Sequence, residues 1–341
     1  MNIVTTKKYK VTNSKSKQIN QRIVLLAFGG VLFLLGFSAV AQKSIERKGG
    51  AQVKISLQAY SFSKLLNDNA KGRGAGMSLS DLVDFSAANN FDAVDLTGYY
   101  FPGYPQTPPD EYIYNIKKQA YQLGIDICCT GVRNDFANPD PAKRAADVKH
   151  VKEWIDVAAK LGAPMLRIFS GAAFGGYENR WDSIASYMAA SIKECVAYAK
   201  SKGVLIGIQN HGDFLKTADE TIKLVKLVNS DWFGVIVDTG YFVTNDPYAD
   251  MEKVLPYAIN FLAKESPFGN NSPVKIDLKR VMKMIHDSGY RGYVSIETLS
   301  PKTPKGQPES KEQKAYDPFV AVPAFLKQVK TAVTEEFENA K

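Results

Sequence analysis

From residue 53 onward the chain repeats one unit: a short apolar strand, a polar loop, an amphipathic helix, a glycine, then the next strand. The strand-like runs are 53–60, 93–97, 125–130, 164–169, 204–209, 234–238, 258–263 and 293–297. Helical periodicity falls between them, at 78–89, 110–123, 141–161, 180–202, 217–229, 249–256, 276–288 and 317–334. Gly124, Gly162, Gly203 and Gly289 follow predicted helices, where a left-handed residue closes the last turn. Strands separated by helices pair in parallel through right-handed crossovers, and eight such units close on themselves. The predicted fold is therefore α/β, a (β/α)₈ barrel over residues 53–334, with a linker at 42–52 and a tail at 335–341. An open doubly wound sheet is the rival, but it carries a glycine-rich phosphate turn directly after its first strand. Here the glycine-rich run at 71–76 lies well beyond strand one, without that spacing, and reads as a loop.

Ahead of the barrel stands a segment of a different kind. Residues 1–22 carry six basic side chains (Lys7, Lys8, Lys10, Lys15, Lys17 and Arg22) and no acid, and an apolar run from Ile23 to Ala41 ends Ala39-Val40-Ala41. A positive start, an apolar middle and a small-x-small end make a signal peptide cleaved after Ala41. The run also approaches the length that spans a bilayer, so a retained anchor over residues 23–41 is the alternative. Both place the barrel outside the cytoplasm, periplasmic or secreted, with any membrane contact confined to the uncleaved segment. The chain's net charge is +8, and removing the six leader charges leaves +2. That is no electrostatic footprint for nucleic acid. Cys128, Cys129 and Cys195 form an odd, unpatterned set that reads as small core residues rather than a disulfide or metal framework.

In a barrel, chemistry gathers at the carboxyl ends of the strands. Strand four ends Met165-Leu166-Arg167-Ile168-Phe169, strand five Gln209-Asn210-His211-Gly212-Asp213, strand six Asp238-Thr239-Gly240-Tyr241, strand seven Leu262-Ala263-Lys264-Glu265 and strand eight Ser295-Ile296-Glu297. Side chains alternate along a strand, so Gln209 and His211 share a face, as do Leu262 and Lys264. Asp238 and Glu297 are candidates to converge with them on the barrel axis. Arg167, Asp95, Asn134, Tyr99 and Tyr241 are further substrate-contact candidates, while Asn134 and Asp135 equally suit a role in shaping the third loop. The loops at 98–110 and 171–181 concentrate aromatics, which serve either as faces for a sugar ring or as core caps. His150 and His286 fall within helices among charged residues and read as surface groups. The last loop, 301–314, is charged and proline-rich, a lid candidate.

With Ile208-Gln209-Asn210-His211-Gly212, Asp238-Thr239-Gly240, Lys264, Asp277-Leu278 and the run Gly289 to Glu297, the chain resembles the xylose isomerase-like TIM-barrel superfamily, the sugar phosphate isomerases/epimerases. The resemblance covers most of residues 53–330. It implies the barrel fold and a small-molecule sugar substrate, and leaves the reaction open, because the superfamily hosts isomerases, epimerases, lyases and endonucleases. Its metal-dependent epimerases hold one divalent ion with a Glu, an Asp, a His and a second Glu, and the two glutamates serve as acid and base. Carried onto this chain, Asp238 and Glu297 match, but Gln209 stands at the first Glu position and Leu262 at the His position. A leucine ligates nothing, and an amide has no basic lone pair for proton abstraction. The metal set that remains is Asp238, Glu297, the Gln209 carbonyl and His211, suited to Mn²⁺ or Mg²⁺ rather than Zn²⁺. The endonuclease branch builds a multi-zinc site from several histidines, and this chain has three in all. With the leader's export signal, the resemblance thus implies an exported sugar isomerase-, epimerase- or lyase-like enzyme that takes a proton next to a carbonyl, with a weakly bound divalent ion as an optional cofactor. Glu297 is its base, and Lys264 and His211 are further catalytic candidates. A non-catalytic sugar-binding barrel with an eroded metal site is the alternative.

Overall fold

The computed structural model describes residue 42 and residues 44–338, except 75, 173–175, 212–213, 270–271 and 302–309. The leader, with its signal-peptide and anchor readings, lies outside the described residues, as do Phe174 and the middle of the last loop. Among the described residues no helix is long and apolar enough to cross a membrane.

In chain order the elements are β1 (Gln52–Gln58), α1 (Ser63–Ala70), α2 (Leu79–Ala88), β2 (Ala93–Thr97), α3 (Asp110–Gln122), β3 (Asp126–Gly131), α4 (Pro141–Leu161) and β4 (Met165–Ile168). There follow α5 (Trp181–Ser201), β5 (Leu205–Gln209), α6 (Ala218–Val228), β6 (Phe233–Asp238), α7 (Pro247–Val254), β7 (Ala258–Lys264), α8 (Leu278–Asp287), β8 (Arg291–Glu297), α9 (Lys311–Ala315) and α10 (Pro318–Phe337). The eight strands pair in parallel in sequence order, and β8 returns to β1 from Gln52↔Arg291 to Leu57↔Ile296, so the sheet closes. The expected barrel is the observed one. Helix α1 was not expected: it is eight residues long and buries Leu66 alone, too short a stripe to show as periodicity.

Local signals set the helix ends. Ser78 and Thr217 cap α2 and α6 in reciprocal boxes with Asp81 and Glu220, which satisfies backbone donors that the first turn leaves open. Gly162 ends α4 at φ 78°, a conformation that costs a side chain and costs glycine nothing. The core has two parts. The larger lies between strands and helices, and the smaller fills the barrel with Ala93, Cys128, Cys129, Met165, Ile236 and Leu262. All three cysteines are free and buried.

The two ends of the barrel differ. At the amino ends of the strands the segment before β1 runs across the opening. Gln42 donates to the Phe233 carbonyl at 2.7 Å, and the Ile45 amide donates to Pro256 O at 2.8 Å. Arg47 donates to the carbonyls of Leu255 and Ala258 at 2.9 and 3.0 Å. At the carboxyl ends a cavity of about 610 Å³ opens between the loops.

Candidate active site

The floor of that cavity is built by strand ends whose sequences lock to one another. Asn210 pairs twice with the backbone of Asp238, donating to its carbonyl at 3.0 Å and accepting from its amide at 2.8 Å, which fixes β5 against β6. The amide of Gly240 donates to Asp238 Oδ1 at 2.8 Å, an Asx turn that aims the carboxylate inward. Residue 240 is crowded there: a Cβ would come within 3.0 Å of Lys264 Cδ, 3.2 Å of the Pro267 carbonyl oxygen and 3.3 Å of Asp238 Oδ1, so a side chain would make these neighbours give way. The Lys264 amide in turn donates to Thr239 Oγ1 at 3.0 Å, tying β7 to the same turn.

On this frame Lys264 lies between the two carboxylates. Its Nζ is 2.7 Å from Asp238 Oδ2 and 3.5 Å from Glu297 Oε1, and all three side chains are essentially sealed from bulk water. The Tyr241 ring covers the ammonium, with Nζ 4.1 Å from the ring centroid. Burial works against the ammonium, but Asp238 and Glu297 outweigh it and hold Lys264 protonated above its ordinary range. Burial raises the Glu297 carboxyl from 4.5 to about 6, with Lys264 opposing and the Asp238 charge adding to the rise. A carboxyl poised there exchanges a proton near neutral pH.

The sequence candidates divide in the structure. Gln209, Lys264, Glu297, Arg167, Tyr99, Tyr241 and His211 all line the cavity, and Asp238 sits just beneath it. The His211 ring packs between Phe169 and Tyr241, at centroid distances of 4.9 and 4.2 Å. Asn134 reaches the wall, but its amide serves the backbone of Phe169, donating to the carbonyl at 2.7 Å and accepting from the amide at 2.9 Å. It braces the loop. Asp95 does not line the cavity: it is buried below, accepting from Gln58 at 2.8 Å, and burial raises its pKa. A charge sealed inside the barrel finds its partners among the interior side chains. Gln58 takes the place expected of Asp95 at the surface of the cavity. Arg133, Phe169 and Ser300 also line it, unanticipated. Gln58 was discoverable, as a polar residue near the carboxyl end of the first apolar run.

Most of the loop aromatics are core. Tyr100, Phe101 and Tyr177 are buried, and Trp181 stacks on Phe214 at 5.1 Å; among the described residues of these loops, Tyr99 is the ring that lines the cavity. His150 is no surface group: it is half-buried, 3.1 Å from the Tyr104 hydroxyl, and burial lowers its pKa. His286 lies partly exposed on α8 beside Glu336.

The residues present do not fit the divalent ion that the resemblance implies. Asp238 Oδ2 already receives Lys264 Nζ and the Gln209 amide nitrogen, the latter at 2.5 Å, and Oδ1 receives the Gly240 amide. The Gln209 oxygen faces Arg167 Nη1 at 3.3 Å, so it is not offered to a cation. Leu262 brings hydrocarbon to the floor, and Lys264 brings a fixed positive charge to the space between the carboxylates. Among the described residues, the one His/Cys/Asp/Glu group whose donor atoms come within 4.8 Å of one another is His286, Asp287 and Glu336 on the outer helices. The expected set of Asp238, Glu297, Gln209 and His211 is thus not assembled as ligands, because the ammonium occupies the electrostatic centre.

A closed parallel barrel with its polar residues at the strand carboxyl ends defines the class. Residues 83–317 match the family described as xylose isomerase-like TIM barrel, and the chain belongs to that family. No curated protein matches the sequence. Among solved structures it is similar to D-psicose 3-epimerase from Clostridium cellulolyticum H10, with TM-score 0.65 and 15% identity over 82% of this chain and 99% of that one. A D-tagatose 3-epimerase-like protein aligns with TM-score 0.64 and 19% identity over 84% and 100%. The 3-keto-D-glucoside 4-epimerase of E. coli aligns with TM-score 0.60 and 12% identity over 82% and 100%.

Proposed function

We propose that this protein is a sugar-transforming enzyme that removes a proton from carbon next to a carbonyl, with Glu297 as base and Lys264 as electrostatic stabiliser. One observation carries the reading: at the floor of the cavity a buried ammonium bridges two carboxylates, and the more loosely held one is set to titrate at about 6. The epimerases named in the structural comparisons act on ketoses and a keto-glucoside, which supports a carbonyl sugar as substrate class.

In this reading the C–H bond next to the carbonyl breaks, and the proton passes to Glu297. The electron pair moves to the carbonyl oxygen, where the Lys264 ammonium stabilises the negative charge that develops. Protonated Glu297 then returns the proton to the former carbonyl carbon while the proton of the adjacent hydroxyl passes to the enolate oxygen, giving the isomeric carbonyl sugar. Alternatively the enolate re-forms the carbonyl and expels a β-oxygen substituent, which leaves with the Glu297 proton, giving an elimination product. Gln209 has no basic atom, so inversion by two opposed bases is not available. The packed rings of Tyr241 and His211 form a wall of the cavity against which the sugar ring rests.

Solvent deuterium exchange tests this directly. Keto sugars and their 3-keto derivatives, incubated with the protein in D₂O, should incorporate deuterium next to the carbonyl, and Glu297→Gln should abolish it. Absence of exchange across such a panel, with the wild-type chain folded, sinks the proposal. Export belongs to the same proposal and is supported by the basic, apolar and Ala39-Val40-Ala41 pattern of the leader. The mature chain is expected to begin at Gln42 outside the cytoplasm, and mass spectrometry of the exported protein checks it.

A further inference from the structure

Arg167 is a buried guanidinium at the cavity whose donors are incompletely paired. The residue is 3% exposed and stands one position before the end of β4. Gly131 on the neighbouring strand makes room for it, since a Cβ there would stand 2.7 Å from Nε and 2.8 Å from Nη2. The Phe169 ring lies 4.3 Å from the guanidinium carbon and Tyr99 5.8 Å, so the group is held in place by rings and by a bare backbone.

Its polar partners are few. Nη1 donates to Gln209 Oε1 at 3.3 Å and Nη2 to the Tyr99 hydroxyl at 3.4 Å, both neutral acceptors at the long end of hydrogen bonding. Nε is buried with no partner. Among the described residues no carboxylate comes within 4.0 Å of the guanidinium. Of the acids that face it from other elements, Asp238 and Glu297 contact Lys264, and Asp95, one oxygen of which accepts from Gln58, balances the Arg167 charge from beyond contact distance. Arg133 at the rim, 4.6 Å from the Tyr99 ring, adds a second positive charge rather than a counter-charge. A buried guanidinium that no carboxylate contacts leaves donors without strong acceptors, and its planar fork matches carboxylate and phosphate oxygens.

We infer that Arg167 is an anion-binding subsite of this cavity and that the substrate is a sugar bearing a carboxylate or a phosphoryl group. This rests on the proposed sugar chemistry, which names the cavity but not the charge of what fills it. The anion completes the hydrogen bonding of Nη1 and Nη2, fixes the sugar relative to Glu297 and replaces the long contacts to Gln209 and Tyr99.

Titration calorimetry with D-glucose, D-glucuronate, D-glucose 6-phosphate, D-fructose and D-fructose 6-phosphate tests it on the wild-type chain from residue 42. At least one anionic sugar is expected to bind tenfold or more tighter than its neutral parent. Whether the carboxylate or the phosphate ester wins identifies the group. Arg167→Met should remove the preference, and Arg167→Lys should keep part of it. Gly131→Ala, which keeps the charge but displaces the guanidinium, should weaken it and guards against a misfolded Arg167→Met. The inference is overturned when no anionic sugar binds tighter than its neutral parent, or when the preference survives in a folded Arg167→Met. Deuterium exchange is scored separately. Anion-selective binding without exchange counts against the proposed chemistry alone, and exchange confined to neutral sugars counts against the subsite alone.

Discussion

The two carboxylates at the floor of the cavity differ in what surrounds them, and the difference assigns their roles. Asp238 accepts from Lys264, Gln209 and the Gly240 amide, so most of its acceptor capacity is taken. Glu297 has one ion-pair contact, at 3.5 Å, and lines the cavity. Its carboxyl ionises at about 6, so the rate of proton abstraction should climb as pH rises through that value. Glu297→Gln should lower turnover roughly 10²–10⁴-fold, the usual contribution of a general base. A pH–rate profile flat between 5 and 8, or a variant keeping half its activity, contradicts the assignment. The same raised pKa has a stability consequence of opposite sign. The folded state holds this proton more tightly than the unfolded chain does, so the favourable contribution fades as pH rises from 4.5 through about 6. Above that, the ionised carboxyl costs roughly 2 kcal/mol, at about 1.4 kcal/mol per pH unit between the two pKa values. Glu297→Gln mimics the protonated form. It should therefore match the wild type in thermal unfolding at pH 4 and exceed it at pH 8, and an equal or lower midpoint at pH 8 would contradict this.

At the scale of elements, the sequence disclosed what periodicity and strand-end position can carry, and hid what depends on packing between strands. The eight strands and the inward set of Gln209, Asp238, Lys264 and Glu297 were legible because alternation assigns faces without knowledge of neighbours. Asp95 was misplaced because its depth depends on the register shift between Val94 and Asp95 where β2 meets β3, which no local pattern reports. Asn134 looked like a contact residue; that its amide spans to the Phe169 backbone on β4's loop is a tertiary fact. The loss of the metal site was half legible: Gln209 and Leu262 announced missing ligands, but the Lys264 position between the carboxylates needed three strands in register, Asp238↔Leu262 and Lys264↔Glu297 among them. That register yields a prediction. Gln209→Glu with Leu262→His restores ligand types on β5 and β7, yet the ammonium still fills the centre. The double variant should bind Mn²⁺ no better than the wild type, and adding Lys264→Ala should raise affinity at least tenfold, about 1.4 kcal/mol. Calorimetry showing tight Mn²⁺ binding by the double variant would mean that the lysine swings clear, and Lys264 would lose its place as the electrostatic centre. For the loop brace, Asn134→Ala removes two hydrogen bonds to the Phe169 backbone, and denaturant unfolding should report a loss of about 1–3 kcal/mol. An unchanged midpoint would show that the brace is dispensable.

The whole molecule separates stability from chemistry along the barrel axis. The carboxyl ends of the strands hold the cavity and its charges, while the amino ends are covered by the segment that precedes β1. Arg47 is the centre of that cover. Its guanidinium donates to the carbonyls of Leu255 and Ala258, just before and at the start of β7, and its carbon lies 5.2 Å from the Tyr290 ring ahead of β8. The Leu255 carbonyl also accepts from the Ala258 amide, so the arginine adds a charged donor to backbone acceptors at the strand entrance and covers an aromatic face at once. A charged donor on a partly buried acceptor contributes about 1.5–3 kcal/mol, more than the neutral bonds of Gln42 and Ile45 nearby. Arg47→Ala should therefore lower unfolding stability by about 2 kcal/mol, and deletion of residues 42–48 should lower it further. Neither change reaches the cavity, and in barrels of this kind the amino-terminal face serves stability rather than catalysis. The deuterium-exchange rate per folded molecule is expected to stay within about twofold of wild type, since none of these residues lines the cavity and barrel chemistry belongs to the opposite face. Thermal unfolding and exchange on the same preparations check both halves. An exchange rate that falls while the unfolding midpoint holds would show that the cover under the barrel positions the strands at its far end, and the division of labour along the axis would be wrong.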